Sequence, residues 1–105
     1  IMTDVNQTIT KFQSNFNPSA AAGMDSVFQF NVTDADSYFL TIKDQNCSID
    51  KGVNDDTNIT LIMDSATLSG LSDGSLDGMQ AFMSGKLRVE GDMMLAMKLH
   101  ELFPS

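Results

Sequence analysis

The stretch Met79–Leu102, MQAFMSGKLRVEGDMMLAMKLHEL, constrains this chain more than any other. It divides into a short apolar helix, a strand punctuated by glycine, and a final helix with an unusually wide apolar surface. Asp92 fits the N-cap, since its carboxylate can accept from the free amides of the first turn. Steps of about 100° per residue then place Leu102, Leu95, Leu99, Phe103, Ala96, Met93 and Met97 on one span of roughly 220°. His100 interrupts the span near its edge, and Lys98 and Glu101 flank Met94 in the remaining gap. A helix lying on a single sheet needs an apolar stripe of only about 100°. The surplus predicts a second apolar surface against this helix: another element, a partner or a ligand. Three of the extra residues are methionines, whose flexible, polarisable side chains mould to irregular shapes. Deep burial among other helices satisfies this pattern, and so does the wall of a hydrophobic cavity.

Upstream, Val5, Ile9, Phe12 and Phe16 recur at the spacing of one helix face, predicting a helix over Thr3–Phe16 with Asp4 in its first turn. Pro18 ends it and opens a short turn through Ala20–Ala22, closed by Gly23. Val27–Thr33 alternates Phe28, Phe30 and Val32 with polar residues, the pattern of a half-buried strand. Ser37–Lys43 follows, with Tyr38, Leu40 and Ile42 on one side and Phe39 on the other. Cys47–Lys51 and Asn58–Met63 complete four strands, and the short links between them predict antiparallel pairing. Asp64 caps a helix over Ser65–Leu71, and Asp77 caps another over Gly78–Ser84, with Gly85 suited to the left-handed residue beyond it. Lys86–Glu90 is the fifth strand. Helices segregated from a mainly antiparallel sheet make an α+β fold of two layers.

A chain of 105 residues forms one domain with a single small core. Its net charge of −8 opposes binding to nucleic acid, which requires clustered Lys and Arg. The same charge opposes tight docking on anionic lipid. One cysteine forms no internal disulfide, which fits a reducing compartment. The opening residues lack the basic and apolar regions of a secretory signal, so a cytoplasmic location is expected and the four sequons at Asn6, Asn31, Asn46 and Asn58 read as accidental.

No constellation for catalysis, metal or cofactor stands out. His100 has no serine or cysteine motif beside it, and Cys47 alternates with Ile49 as a small core residue would. Asp34/Asp36, Asp55/Asp56 and Asp73/Asp77 lack calcium-loop spacing and sit where turns and caps need short polar side chains. The glycines at 70, 74 and 78 follow no strand, so they make no phosphate cradle. An apolar surplus remains, with eight methionines and seven phenylalanines.

Ala81–Leu99, AFMSGKLRVEGDMMLAMKL, closely resembles the C-terminal signature of the sterol carrier protein type 2 domain. Val27-Phe28-Gln29-Phe30 is similar to that family's first strand. Thr60-Leu61-Ile62-Met63-Asp64 is similar to its fourth strand running into a capped helix. The resemblance implies a five-stranded sheet with helices on one face and a hydrophobic tunnel between them. Its ligand would be a fatty acid, fatty acyl-CoA, sterol or phospholipid tail, held without chemistry. Carried over, the family's tunnel positions fall on Phe30, Leu71, Met79, Phe82, Met94 and Met97. Helix periodicity adds Phe12 and Phe16, which would close the tunnel from the N-terminal side. Positions 79 and 97, often glutamine in that family, are methionine here, which favours a neutral tail over a polar head group. Many eukaryotic members end in a peroxisomal tripeptide, whereas this chain stops at Phe103-Pro104-Ser105. A peroxisomal home is then expected only if a targeting tail has been removed.

Three functions fit these residues. The first is a lipid-binding and transfer module that touches membranes transiently. The second is an accessory domain that hands acyl chains to a partner enzyme of fatty-acid metabolism. The third is a structural or interaction domain whose methionines only fill a core.

Overall fold

The computed structural model describes residues 5–104, with side chains from residue 7 onward. Thr3 and Asp4, and the side chain of Val5, lie outside the described residues. The helices are α1 (Val5–Ser14), α2 (Ser65–Asp73), α3 (Gly78–Met83) and α4 (Met93–Leu102), with a 3₁₀ turn at Pro18–Ala21. The strands are β1 (Asp25–Val32), β2 (Tyr38–Lys43), β3 (Asn46–Lys51), β4 (Ile59–Met63) and β5 (Arg88–Gly91). Every predicted element within the described residues is present, with ends shifted by one or two residues.

The sheet order is β3-β2-β1-β4-β5. β1–β2 and β2–β3 pair antiparallel, as the short links predict, and β4–β5 is antiparallel as well. The β2–β3 hairpin turns on Asp44 and Gln45, both with positive φ (51° and 61°), which matches the right-handed twist of the flanking strands.

β4 departs from the expectation that successive strands pair. It lies parallel to β1, with Phe28 opposite Ile59 and Val32 opposite Met63. The chain leaves edge strand β3 and crosses to the far side of β1 through residues 52–58. That connection lies over the face away from the helices. It is held there by Gln29, a β1 residue only 2% exposed. Gln29 donates through Nε2 to the carbonyls of Tyr38 and Gly52, both at 3.1 Å, and accepts from the Asn54 amide at 2.9 Å. Local polarity patterns mark Gln29 as an outward residue, and the connection then buries it.

The helix-facing side carries Phe28, Phe30 and Val32 of β1, Leu40 and Ile42 of β2, and Ile59, Leu61 and Met63 of β4. Leu68, Ala81 and Leu102 of α2, α3 and α4 close the same core. α1 packs on α2 and β3, while α4 packs on β4, β5 and the 3₁₀ turn. Helix starts follow the predicted caps. Asp64 accepts from the Thr67 amide, Asp77 from Gln80 and Asp92 from Met94. Gly91 ends β5 at φ +111°, and a Cβ there would stand 2.7 Å from the Asn58 carbonyl oxygen. Only glycine meets both conditions.

Candidate functional site

Alternation along β1 turns Phe28 and Phe30 toward the helices, and pairing sets Leu40 of β2 and Ile49 of β3 on the same face. α1 lies over this part of the sheet, presenting Ile9 and Phe12 one turn apart, and α2 adds Leu68. Between them is a cavity of about 10 Å³ lined by Ile9, Phe12, Phe30, Leu40, Ile49, Leu68 and Phe103. That volume is on the scale of one water molecule, and a lining without polar groups keeps such a space dry. Aromatic rings close it. Phe12 stands 6.2 Å from Phe30 and meets Phe103 edge-on at 5.3 Å, while Phe16 lies 5.7 Å from Phe103.

The eight expected site residues divide into two groups. Phe12, Phe16 and Phe30 come together in this aromatic cluster, and half-buried Leu71 packs against the same core. Met79, Phe82, Met94 and Met97 instead face outward, at 56%, 41%, 74% and 64% exposure. Among the described residues, side chains of the core occupy the layer between sheet and helices apart from the small cavity, and no tunnel is shown there. The reason lies in α4. It packs a narrow stripe through Leu95, Leu99 and Leu102 against β4, β5 and the 3₁₀ turn, and among the described residues no second layer covers the rest of the apolar arc.

The cavity also has wall residues that were expected only as core or helix-face positions: Ile9, Leu40, Ile49, Leu68 and Phe103. The available signal for the strand members was parity. Leu40 and Ile49 share the face of Phe30 once β1, β2 and β3 pair.

Outward apolar residues are concentrated on two helices. Met79, Phe82 and Met83 sit at i, i+3 and i+4 on α3, and Met93, Met94 and Met97 line one side of α4. These six are joined by only Val53 among the exposed large hydrophobic residues described. Charge is segregated as well. Residues 1–77 hold 11 acidic and 3 basic side chains, whereas 78–105 hold 3 of each, so the whole net charge of −8 belongs to the first part.

Burial pushes the Cys47 thiol up to about 11, so it stays protonated near neutrality and is a poor nucleophile. His100 is exposed in the last turn of α4. Among the described residues no group of His, Cys, Asp and Glu could hold a metal ion. No helix among them is long and apolar enough to cross a membrane. The acidic side chains serve turns and caps. Asp34 binds Ser65, and Asp73 accepts from the Ser75 amide.

The family model described as the SCP-2 sterol transfer family matches residues 5–104. The chain belongs to that family. It is similar to part of hydroxysteroid dehydrogenase-like protein 2 from Xenopus laevis, at 29% identity over 99 residues. The match takes in 91% of this chain and 24% of the frog protein, so the chain spans about a quarter of that relative's length. Among solved structures, palmitated SCP2L2 from Aedes aegypti superposes with a TM-score of 0.76 at 24% identity, covering 99% of this chain and 96% of that one. The sec-alkylsulfatase Pisa1 from Pseudomonas sp. contains the same SCP-2 fold, with a TM-score of 0.80 at 20% identity over 90% of this chain and 15% of its own. The fold thus occurs both as a nearly whole chain and as a minor part of a larger one.

Proposed function

We propose that this chain is a non-enzymatic lipid-binding and lipid-transfer module, holding a fatty acid, acyl-CoA, sterol or phospholipid tail between α1, α2 and the inner face of the sheet. The observation that carries this reading is a dry, wholly apolar cavity under the Phe12–Phe30 pair, in a chain of the SCP-2 sterol transfer family. Phe12, Phe16, Phe30 and Leu71 form the tail-binding layer. The layer needs no reacting group, because burying a tail favours the complex by about 0.8 kcal/mol per CH₂ before ordering costs.

Met79, Phe82, Met94 and Met97 take a different part from wall residues. They form outward apolar faces through which the carrier touches a lipid-bearing surface while a tail enters or leaves. Their place in residues 78–105, which carry no net charge, supports this, since the chain as a whole is acidic and is repelled by anionic lipid. A cytoplasmic setting suits the lone cysteine, with a peroxisomal one if a targeting tail has been lost.

A second reading has its own support. The chain spans about a quarter of the hydroxysteroid dehydrogenase-like relative, which favours a role beside a catalytic domain, delivering tails to an enzyme of fatty-acid metabolism.

Native mass spectrometry of the purified chain, with displacement of a fluorescent fatty acid by unlabelled lipid, tests the tail-binding layer. One retained lipid per chain and competitive displacement are expected. No bound species and no displacement at micromolar protein would leave a filled core as the better account.

A further inference from the structure

We infer that Phe103 is the gate of the tail site: its ring occupies volume beside the small cavity that an incoming tail must take. This rests on the lipid-carrier reading above and adds a residue that sets how readily the site opens.

The argument is one of relative mobility. A cavity of about 10 Å³ admits no acyl chain, so at least one lining side chain must leave when a tail binds. Phe30 and Leu40 lie on strands paired on both sides, and Ile49 is held in the β2–β3 ladder opposite Leu40. Ile9, Phe12 and Leu68 lie inside helices. Phe103 alone among the lining residues belongs to no helix or strand. It follows the last residue of α4 with φ −132° and ψ 70°, and its amide donates to the Leu99 carbonyl at 2.9 Å. Its ring is only 7% exposed and wedged between Phe12 and Phe16.

One hydrogen bond ties this segment to the N-terminal part of the chain. The Asn17 amide donates to the Leu102 carbonyl at 2.8 Å. That carbonyl belongs to the peptide joining Leu102 to Phe103. Turning the Phe103 ring out of the layer by rotating this peptide removes the acceptor from Asn17 and swings the Phe103 amide off the Leu99 carbonyl. Leu102 stays seated in the core, so α4 keeps its place while the gate swings. Opening therefore has a local signature, loss of the Asn17 bond, separate from unfolding.

Apparent affinity falls by the fraction of molecules in which the site is open. Removing the ring should raise affinity, by about tenfold if roughly a tenth of the parent molecules are open. The test is titration of parent, Phe103→Leu and Phe103→Ala with a dansyl-labelled fatty acid, with palmitate as competitor and circular dichroism as the folding check. The expected order of affinity is Ala, then Leu, then parent. Hydrogen exchange of the parent's Asn17 amide should accelerate when palmitate is added, while the β1 amides keep their protection. Equal affinity for parent and Phe103→Leu, with Asn17 protection unchanged by palmitate, would overturn the gate and leave the carrier intact. Absence of binding in every form would overturn both. If Phe103→Ala does not fold, the Leu variant and the Asn17 amide decide the matter alone.

Discussion

The carboxylate of Asp34 accepts two hydrogen bonds from Ser65, from its amide at 2.7 Å and from its hydroxyl at 2.8 Å. This pair joins the turn after β1 to the start of α2, the helix that brings Leu68 to the cavity. Asp34→Ala leaves the half-buried donors of Ser65 without their acceptor. It should lower stability by about 1–3 kcal/mol in urea unfolding, and Ser65→Ala by less because the amide bond survives. Equal costs for the two variants would show that the amide bond contributes little.

Gln29 offers a sharper case, because its side chain is buried and fully bonded. Gln29→Ala removes the partner of the Tyr38 and Gly52 carbonyls and of the Asn54 amide at once. A loss of about 3 kcal/mol is expected. Hydrogen exchange at Asn54 should rise well above that at β4 amides, since the connection loosens before the sheet does.

Acid sensitivity should trace in part to a helix cap. Hydrogen bonds from the Thr67 hydroxyl and amide hold the Asp64 carboxyl below the usual carboxylate range. Folding therefore favours the ionised form, and Asp64 contributes stability at any pH above the unfolded value. The contribution fades as pH falls through the lowered folded value. Asp64→Asn still caps α2 but does not titrate. Urea midpoints measured down the acid limb should fall less steeply for Asp64→Asn than for the parent, while Asp73, held low by Ser75, keeps part of the slope in both.

The two groups of expected site residues should separate in the laboratory. Phe30→Ala empties a buried ring position and should cost about 3–5 kcal/mol together with tail affinity. Met94→Glu changes an exposed residue and should move stability by no more than about 0.5 kcal/mol. Its expected effect is slower uptake of a tail from vesicles, with equilibrium affinity for free fatty acid unchanged. Equal uptake rates for Met94→Glu and parent would remove the outward methionines from the transfer step.

What the residues revealed in advance follows the range of the forces involved. Caps at Asp64, Asp77 and Asp92 were legible because a carboxylate and an amide two or three residues on satisfy each other wherever the helix sits. The inward set Phe28, Phe30, Leu40, Ile42 and Leu61 was legible because strand side chains alternate strictly. Phe12 and Phe16 were legible from helix spacing. β4's partner was not, since local alternation is indifferent to which neighbour a strand takes. The wide arc of α4 was legible, but what lies against it was not, for a related reason. Periodicity counts apolar surface, but covering it depends on what the rest of the chain has left over. Among the described residues, none covers Met93, Met94 and Met97.

The pairing of β4 with β1 also orders assembly in time. β1, β2 and β3 are consecutive, so their registers need only short loops to close. β4 reaches β1 across an interval of about thirty residues, and that closure entropy must be met before the pairing returns any stability. We expect the meander to gain protection first in pulsed hydrogen exchange during refolding, with amides of 59–63 following those of 38–43. The apolar layer between β1, β4 and the helices would then be the last region to come together. A chain stalled at the meander would show its phenylalanines to solvent and to other chains before any lipid could shield them.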